Sequence, residues 1–364
     1  MMERGLSRIF LLLLCSSVSV LGSVLWKQYS YYRYPLTWQD AQDFCRSTGY
    51  NDLAIIYTQS DLNDVNMMQY DAWLGLQKLK PSRYWTWVNT FILVTDNWGH
   101  GEPDEDDECA YISYSSKRFY GTSCERYKFF ICHKVDNHRY RYTFINESKT
   151  WSEARQYCRS QYDDLAIVED DRLSSAAGQE DFLVWTGLHR DGGTWKWTAG
   201  LSEYRNWASN EPSNDSNCAS VSSVNGNMAT RNCSAHFPFI CYRDNMVVVK
   251  ENKTWEEALE HCRGLSSSFS SNRQYDLVSV QPGTDHAFVM TKVLQADTEK
   301  VWTGLRFLAG HWLWVNGEPM SHSDLPDCPQ NGQNCGVLSK NDTGSVEITD
   351  CSERRNFICY SKYF

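Results

Sequence analysis

The chain lacks an excess of positive charge. Its 364 residues carry 35 Lys and Arg against 45 Asp and Glu, a formal net charge of −10. That balance argues against sequence-independent nucleic-acid binding, which needs a basic face to replace counterions on phosphates. Long apolar runs are nearly as scarce. Only the stretch from Ile9 to Leu25 approaches the length of a bilayer span, and the chain closes on Tyr363 and Phe364 without the hydrophobic tail of a lipid anchor. No membrane span is therefore expected once a leader is removed. Catalytic groupings are missing too. The nine His are scattered, with no Ser/His/Asp or zinc constellation, and no repeated carboxylate pair is placed as glycosidic cleavage requires. An enzyme is not expected.

What the chain has in quantity is aromatic residues and cysteine: 15 Trp, 21 Tyr and 14 Cys. Such aromatic content excludes a disordered chain, and the cysteines point to an oxidising compartment where small domains are stapled by disulfides. Length alone allows two or three domains. Met1 to Arg8 is short and weakly basic, residues 9–14 are apolar, and Cys15 to Ser23 is rich in small residues. This reads as a cleavable secretory signal spanning residues 1–22, with an uncleaved anchor as the alternative. A secreted, extracellular protein follows. Sequons at Asn146, Asn214, Asn252 and Asn341 fit a glycosylated surface. Asn232, beside a cysteine, is discounted.

Self-similarity organises the rest. Leu36-Thr-Trp-Gln-Asp-Ala-Gln-Asp-Phe-Cys45 recurs as Lys149-Thr-Trp-Ser-Glu-Ala-Arg-Gln-Tyr-Cys158 and as Lys253-Thr-Trp-Glu-Glu-Ala-Leu-Glu-His-Cys262, spaced 113 and then 104 residues apart. Each copy continues with an apolar run, then Trp73-Leu-Gly-Leu76, Trp185-Thr-Gly-Leu188 or Trp302-Thr-Gly-Leu305, then a Trp-x-Trp, a Glu-Pro and a closing cysteine at Cys132, Cys241 or Cys359. A period near 110 residues suits an independent domain rather than a solenoid unit. The boundaries expected are 23–133, 139–242 and 246–361, with short linkers between. Thr150 with Glu153, and Thr254 with Glu257, read as capping boxes, with Thr37 and Asp40 a looser version. Trp38, Ala41 and Cys45 share a helix face, as do Trp151, Ala154 and Cys158. Fourteen of the 15 Trp occupy repeated places and are expected to be framework, with Trp26 outside the pattern.

The capped helix ending in Cys, the Trp-x-Gly-Leu strand, the Glu-Pro loop and the cysteine order resemble the C-type lectin-like domain. Tandem copies resemble the arrays of mannose-receptor-type proteins and of fish lectin-like proteins. The resemblance implies an α+β fold, with two helices flanking small antiparallel sheets and a long irregular loop in each copy. It also implies disulfides from first to last cysteine and between the inner two: Cys45 with Cys132, Cys109 with Cys124, Cys158 with Cys241, Cys218 with Cys233, Cys262 with Cys359, and Cys335 with Cys351. Cys328 is left over. Either an intermolecular bridge, giving a disulfide-linked dimer, or a buried or capped thiol accounts for it.

Sugar-binding relatives hold Ca²⁺ with Glu-Pro-Asn or Gln-Pro-Asp in the loop, a nearby acid, and an Asn-Asp on the following strand, because the ion requires six to eight oxygens. The first copy has Glu102-Pro103-Asp104 and Asp107, but Phe119-Tyr120-Gly121 on the strand. Half a site remains, with Glu102, Asp104 and Asp107 as the candidate ligands. The second copy offers Glu211 and little else; the third offers Glu318 and Glu347. The run from Glu102 to Glu108 holds six acids in seven residues, which fits a solvated loop, a weak cation site or a patch for a basic partner. The expected function is multivalent binding of a glycan or glycoprotein without the usual mannose-type calcium site, or else protein binding with neither sugar nor calcium.

Overall fold

The computed structural model describes residues 25–363 apart from 64, 79–83, 90–96, 138, 169–176, 199–201, 270–272, 281–283, 321–324, 330–331 and 342–345. The expected leader lies outside the described residues, as do Glu169, Asp170 and Asp171, an acidic run expected at the start of a second helix. The first repeat runs β1 (Lys27–Leu36), α1 (Trp38–Ser47), β2 (Asp52–Leu53), α2 (Gln59–Asn63), β3 (Asp71–Lys78), β4 (Trp85–Trp87), β5 (Cys109–Ser113), β6 (Phe119–Thr122) and β7 (Lys128–Asp136). The second contains β8 (Arg139–Lys149), α3 (Trp151–Gln161), β9 (Asp164–Leu165), β10 (Leu183–Asp191), β11 (Thr194–Trp197), β12 (Cys218–Ser222), β13 (Met228–Arg231) and β14 (Phe237–Asp244). The third contains β15 (Met246–Lys253), a helix over Trp255–Phe269, β16 (Arg273–Leu277), a helix over Thr284–Val293, β17 (Lys300–Leu308), β18 (His311–Trp314), β19 (Cys335–Ser339), β20 (Glu347–Thr349) and β21 (Arg355–Tyr363).

Local signals act as the sequence suggests. The Thr37 side chain accepts from the Asp40 N–H at the head of α1, Thr150 and Glu153 close a reciprocal capping box on α3, and Thr254 and Glu257 exchange the same bonds. Satisfying otherwise orphaned backbone donors starts each helix at its Trp. The fourteen repeated Trp lie in the core or pack against it. The glycine of each Trp-x-Gly-Leu strand has a steric reason. A Cβ on Gly75, Gly187 or Gly304 would stand 2.8–2.9 Å from the carbonyl oxygen of Leu165, Leu53 or Leu277, so only glycine lets the two backbones approach.

Those partners reveal an exchange. Gly304 meets Leu277 of its own repeat, but Gly75 meets Leu165 of the second repeat and Gly187 meets Leu53 of the first. The same crossing recurs throughout. Trp38 Nε1 donates to the Thr186 carbonyl and Trp151 Nε1 to the Leu74 carbonyl, whereas Trp255 Nε1 donates to Thr303 within the third repeat. One seven-stranded sheet has the order β1-β14-β10-β12-β13, with β2 and β11 attached; a second has β6-β5-β3-β7-β8, with β4 and β9 attached. The third sheet, β15-β21-β17-β19-β20 with β16 and β18, belongs to one repeat. The sheet of β3 to β9 is thus one continuous stretch of chain, with the order of a lectin-like unit circularly permuted. It is inserted into a second unit made from β1–α1–β2 and β10–β14.

Two disulfides expected within repeats are corrected accordingly. Cys45 pairs with Cys241 and Cys132 with Cys158, not Cys45 with Cys132 and Cys158 with Cys241. The pairs Cys109–Cys124, Cys218–Cys233, Cys262–Cys359 and Cys335–Cys351 form as expected. The physical reason lies at the expected linker between residues 133 and 139, which is a β-hairpin. β7 and β8 pair from Asp136↔Arg139 to Lys128↔Lys149, leaving two connecting residues, of which Asn137 has a left-handed φ of 49°. Two-residue loops with Asn at positive φ are favoured hairpin turns. The turn seats β8 beside β7, in the place β1 would otherwise take, and β1 pairs with the vacant β14. Between β14 and β15 only Asn245 intervenes, too little for such a turn, and β15 pairs with β21 of its own repeat.

That second junction is tied by buried polar groups. Lys292 pairs with Asp244 at 2.7 Å, their side chains 6% and 0% exposed. Tyr242 donates its hydroxyl to the same carboxylate, and the Met246 N–H donates to its other oxygen at 2.9 Å. Asn245 exchanges bonds with the Ser361 backbone and accepts from the Trp26 N–H.

Candidate functional site

The long loop of the first repeat leads from β4 to β5. Its Glu102-Pro103 bond is cis, and the Glu102 carboxylate accepts the Gly121 N–H at 2.8 Å. Asp107 turns back to accept the Asp104 N–H at 2.8 Å. Gly121 stands where sugar-binding relatives would carry a strand ligand, and a Cβ there would fall 2.1 Å from Asp107 Oδ2. The Asp107 carboxylate occupies that space. Burial, followed by the charges of Asp104 and Asp106, raises its pKa, with the Asp104 N–H and Lys78 acting the other way. Asp104, Glu105 and Asp106 are exposed, the behaviour of a solvated acidic loop. The structure does not bring Glu102, Asp104 and Asp107 together as a ligand set. Among the described residues no three His, Cys, Asp or Glu side chains are grouped so as to hold a metal ion.

The second repeat repeats the cis bond at Glu211-Pro212 and satisfies its acid more fully. Glu211 accepts from the Ser213 N–H at 2.9 Å, from the Thr230 N–H at 3.1 Å and from the Thr230 hydroxyl. Arg231 Nη1 lies 3.3 Å from the other oxygen. A guanidinium thereby supplies positive charge beside the carboxylate that binds a cation in sugar-binding relatives. Burial alone would raise the Glu211 carboxyl, but the bonds from Thr230 and Ser213 and the charge of Arg231 outweigh it and hold the pKa below its ordinary value. Arg231 was not singled out in the sequence, although a basic residue two places before Cys233 was the available signal. In the third repeat the strand acid Glu347 pairs with Lys300 at 2.6 Å, and the Glu318 N–H donates to Asn316 at 3.1 Å. Glu211 thus has both carboxylate oxygens engaged by protein donors, while Glu102 and Glu347 each have one oxygen so engaged.

The sequon residues Asn146, Asn214, Asn252 and Asn341 are all exposed, as is Cys328, the one free cysteine among the described residues. No helix among the described residues is long and apolar enough to cross a membrane.

The Lectin C-type domain model matches residues 34–134, 147–243 and 251–361. The chain is 24% identical over 396 residues to the C-type mannose receptor 2 of Homo sapiens, a match that covers 89% of this chain and 26% of that protein. It is 22% identical over 388 residues to the secretory phospholipase A2 receptor of Bos taurus, covering 87% and 26%. The chain therefore spans about a quarter of the length of these relatives. Among solved structures, the C-type lectin CEL-I from Cucumaria echinata aligns at 22% identity with a TM-score of 0.29, over 34% of this chain and 91% of that one. Three matched regions, each carrying the capped helix, the Trp-x-Gly-Leu strand and the Glu-Pro loop, place the chain: it belongs to the C-type lectin domain family, as three tandem α+β copies.

Proposed function

We propose that this chain is a secreted, extracellular lectin-like recognition protein that binds carbohydrate or glycoprotein ligands multivalently and does no catalysis. The observation that carries the calcium-independent part of this reading is the Arg231–Glu211 pair, together with the turn of Glu102 onto Gly121. Protein donors meet the loop acids that would otherwise ligate Ca²⁺. Six disulfides and exposed sequons support an oxidising, glycosylating route. Two interlocked units with a third attached through the single Asn245 present three surfaces on one chain, so that modest single affinities combine through effective concentration. The same internally satisfied loops favour a second reading, a protein-binding adhesion or receptor fragment without sugar or calcium.

A glycan array probed with the secreted protein, with and without EDTA, separates the two. Binding that survives EDTA supports the first reading, and silence under both conditions leaves the protein-binding one. We also propose a disulfide from exposed Cys328 to a second copy of the chain. A dimer band on non-reducing electrophoresis that Cys328→Ser abolishes would establish this, and a monomer band in the unaltered protein would end it.

A further inference from the structure

Insertion of one unit into the other creates a cleft that neither unit has alone. It encloses about 460 Å³ and is lined by Tyr34, Pro35 and Leu36 at the end of β1, by Thr122 and residues 125–128 approaching β7, and by His236 before β14. The volume lies in the range of small-ligand sites. Tyr127 and His236 each follow an inner-disulfide cysteine by three residues, so they are equivalent positions of the two repeats. Their rings stack face to face, centroids 3.6 Å apart and 1° from parallel. Equivalent residues in mutual contact lie at the pseudo-twofold axis relating the units, which sets the cleft at the dyad, apart from the Glu-Pro loops. Tyr34 is 39% exposed. By alignment on the Thr-Trp that follows, its counterparts are Glu147 and Glu251, so the aromatic wall belongs to this place alone.

We propose that this cleft binds a neutral sugar of one or two rings. The inference rests on the lectin reading above and gives it a site. The chemistry matches: Tyr34, half-exposed and held by T-shaped contacts with Tyr32, Phe44 and Phe239, gives the cleft an aromatic wall for an apolar sugar face, while Thr122, Glu125 and Arg126 supply donors and acceptors at the rim. The Lys128 ammonium is directed into the protein, paired with Asp71 at 3.3 Å and lying over the Tyr111 ring. It adds no net charge to attract an anion. Tyr34 belongs to the unit built on β14 and Arg126 to the inserted unit, so both units contribute to the site.

The test uses the full-length secreted protein on a printed array of mono- and oligosaccharides in EDTA, comparing it with Tyr34→Glu, the residue type at the two counterpart positions, and with Arg126→Ala. Loss of the aromatic contact in Tyr34→Glu corresponds to roughly a tenfold weaker apparent affinity, and loss of the rim donor in Arg126→Ala is expected to weaken binding as well, with the disulfide map unchanged in both. Undiminished binding in both variants overturns the cleft. Binding lost instead in Glu102→Gln or Glu211→Gln would also overturn it while leaving the lectin reading intact. An array silent with the unaltered protein overturns both.

Discussion

Lengthening the connection between Asn137 and His138 should move the chain toward the unexchanged topology. The two topologies offer equivalent framework bonds, because each crossing Trp bond in the first two units has a counterpart in the third: Trp38 to Thr186 and Trp151 to Leu74 match Trp255 to Thr303. Cross-link entropy does not choose either. Cys45–Cys241 and Cys132–Cys158 close separations of 196 and 26 residues, about 5 and 3.5 kcal/mol in the chain-entropy model. The within-repeat pairs would each close roughly 85 residues, for about 4.5 kcal/mol apiece, so the totals agree to within about 0.5 kcal/mol. What remains is the turn. Adding eight Gly/Ser residues to the two already there raises the closure cost of the β7–β8 hairpin by about 1.4 kcal/mol, a tenfold shift in the ratio of the two forms.

The assay is tryptic peptide mapping without reduction. In the unaltered protein, peptide 129–134, which holds Cys132, should be joined to peptide 156–159, which holds Cys158. Peptide 34–46, with Cys45, should be joined to 232–243, which contains Cys241. In the lengthened variant the product joining 129–134 to 34–46 should appear and grow. Finding that product as the principal one in the unaltered protein would refute the reasoning.

Two further outcomes follow from the packing. Lys292→Ala removes the cation paired with the buried Asp244 carboxylate, leaving it the Tyr242 hydroxyl and the Met246 N–H; breaking a buried pair costs about 3–5 kcal/mol, and thermal unfolding should register it, whereas a change below about 1 kcal/mol would mean that water reaches the junction. Glu211 has a folded pKa below its ordinary 4.5, so its stabilising contribution is complete above pH 4.5 and fades as the pH falls through the lowered value. Denaturant melts should therefore find Glu211→Gln less stable at neutral pH and the gap closing in acid, and a pH-independent gap would contradict the account.

The helix starts and the tryptophan framework were legible in the sequence because each depends on residues close along the chain, and the inner disulfides, implied by the family resemblance, are local in the same way. Thr150 reaches Glu153 in any tertiary arrangement, and Cys109 is fifteen residues from Cys124 in either topology. The calcium residues were legible only as a deficit. Arg231 beside Glu211 was missed because a ligand motif is searched for oxygens, and a cation substitute is seen only once the strand and the loop are brought together.

Sequence by itself determined that there are three lectin-like repeats and which helix, strand and loop signals each carries, and the resemblance they bear implied six disulfides. Which first half completes which second half was decided by tertiary structure. Repeats that share Trp, Gly and Cys at matching places offer every half two nearly equal partners, so no residue pattern within a repeat can discriminate between them. The choice falls to a two-residue turn at Asn137 that makes β8 the nearest strand to β7, and with it come the crossed disulfides and the cleft between the units.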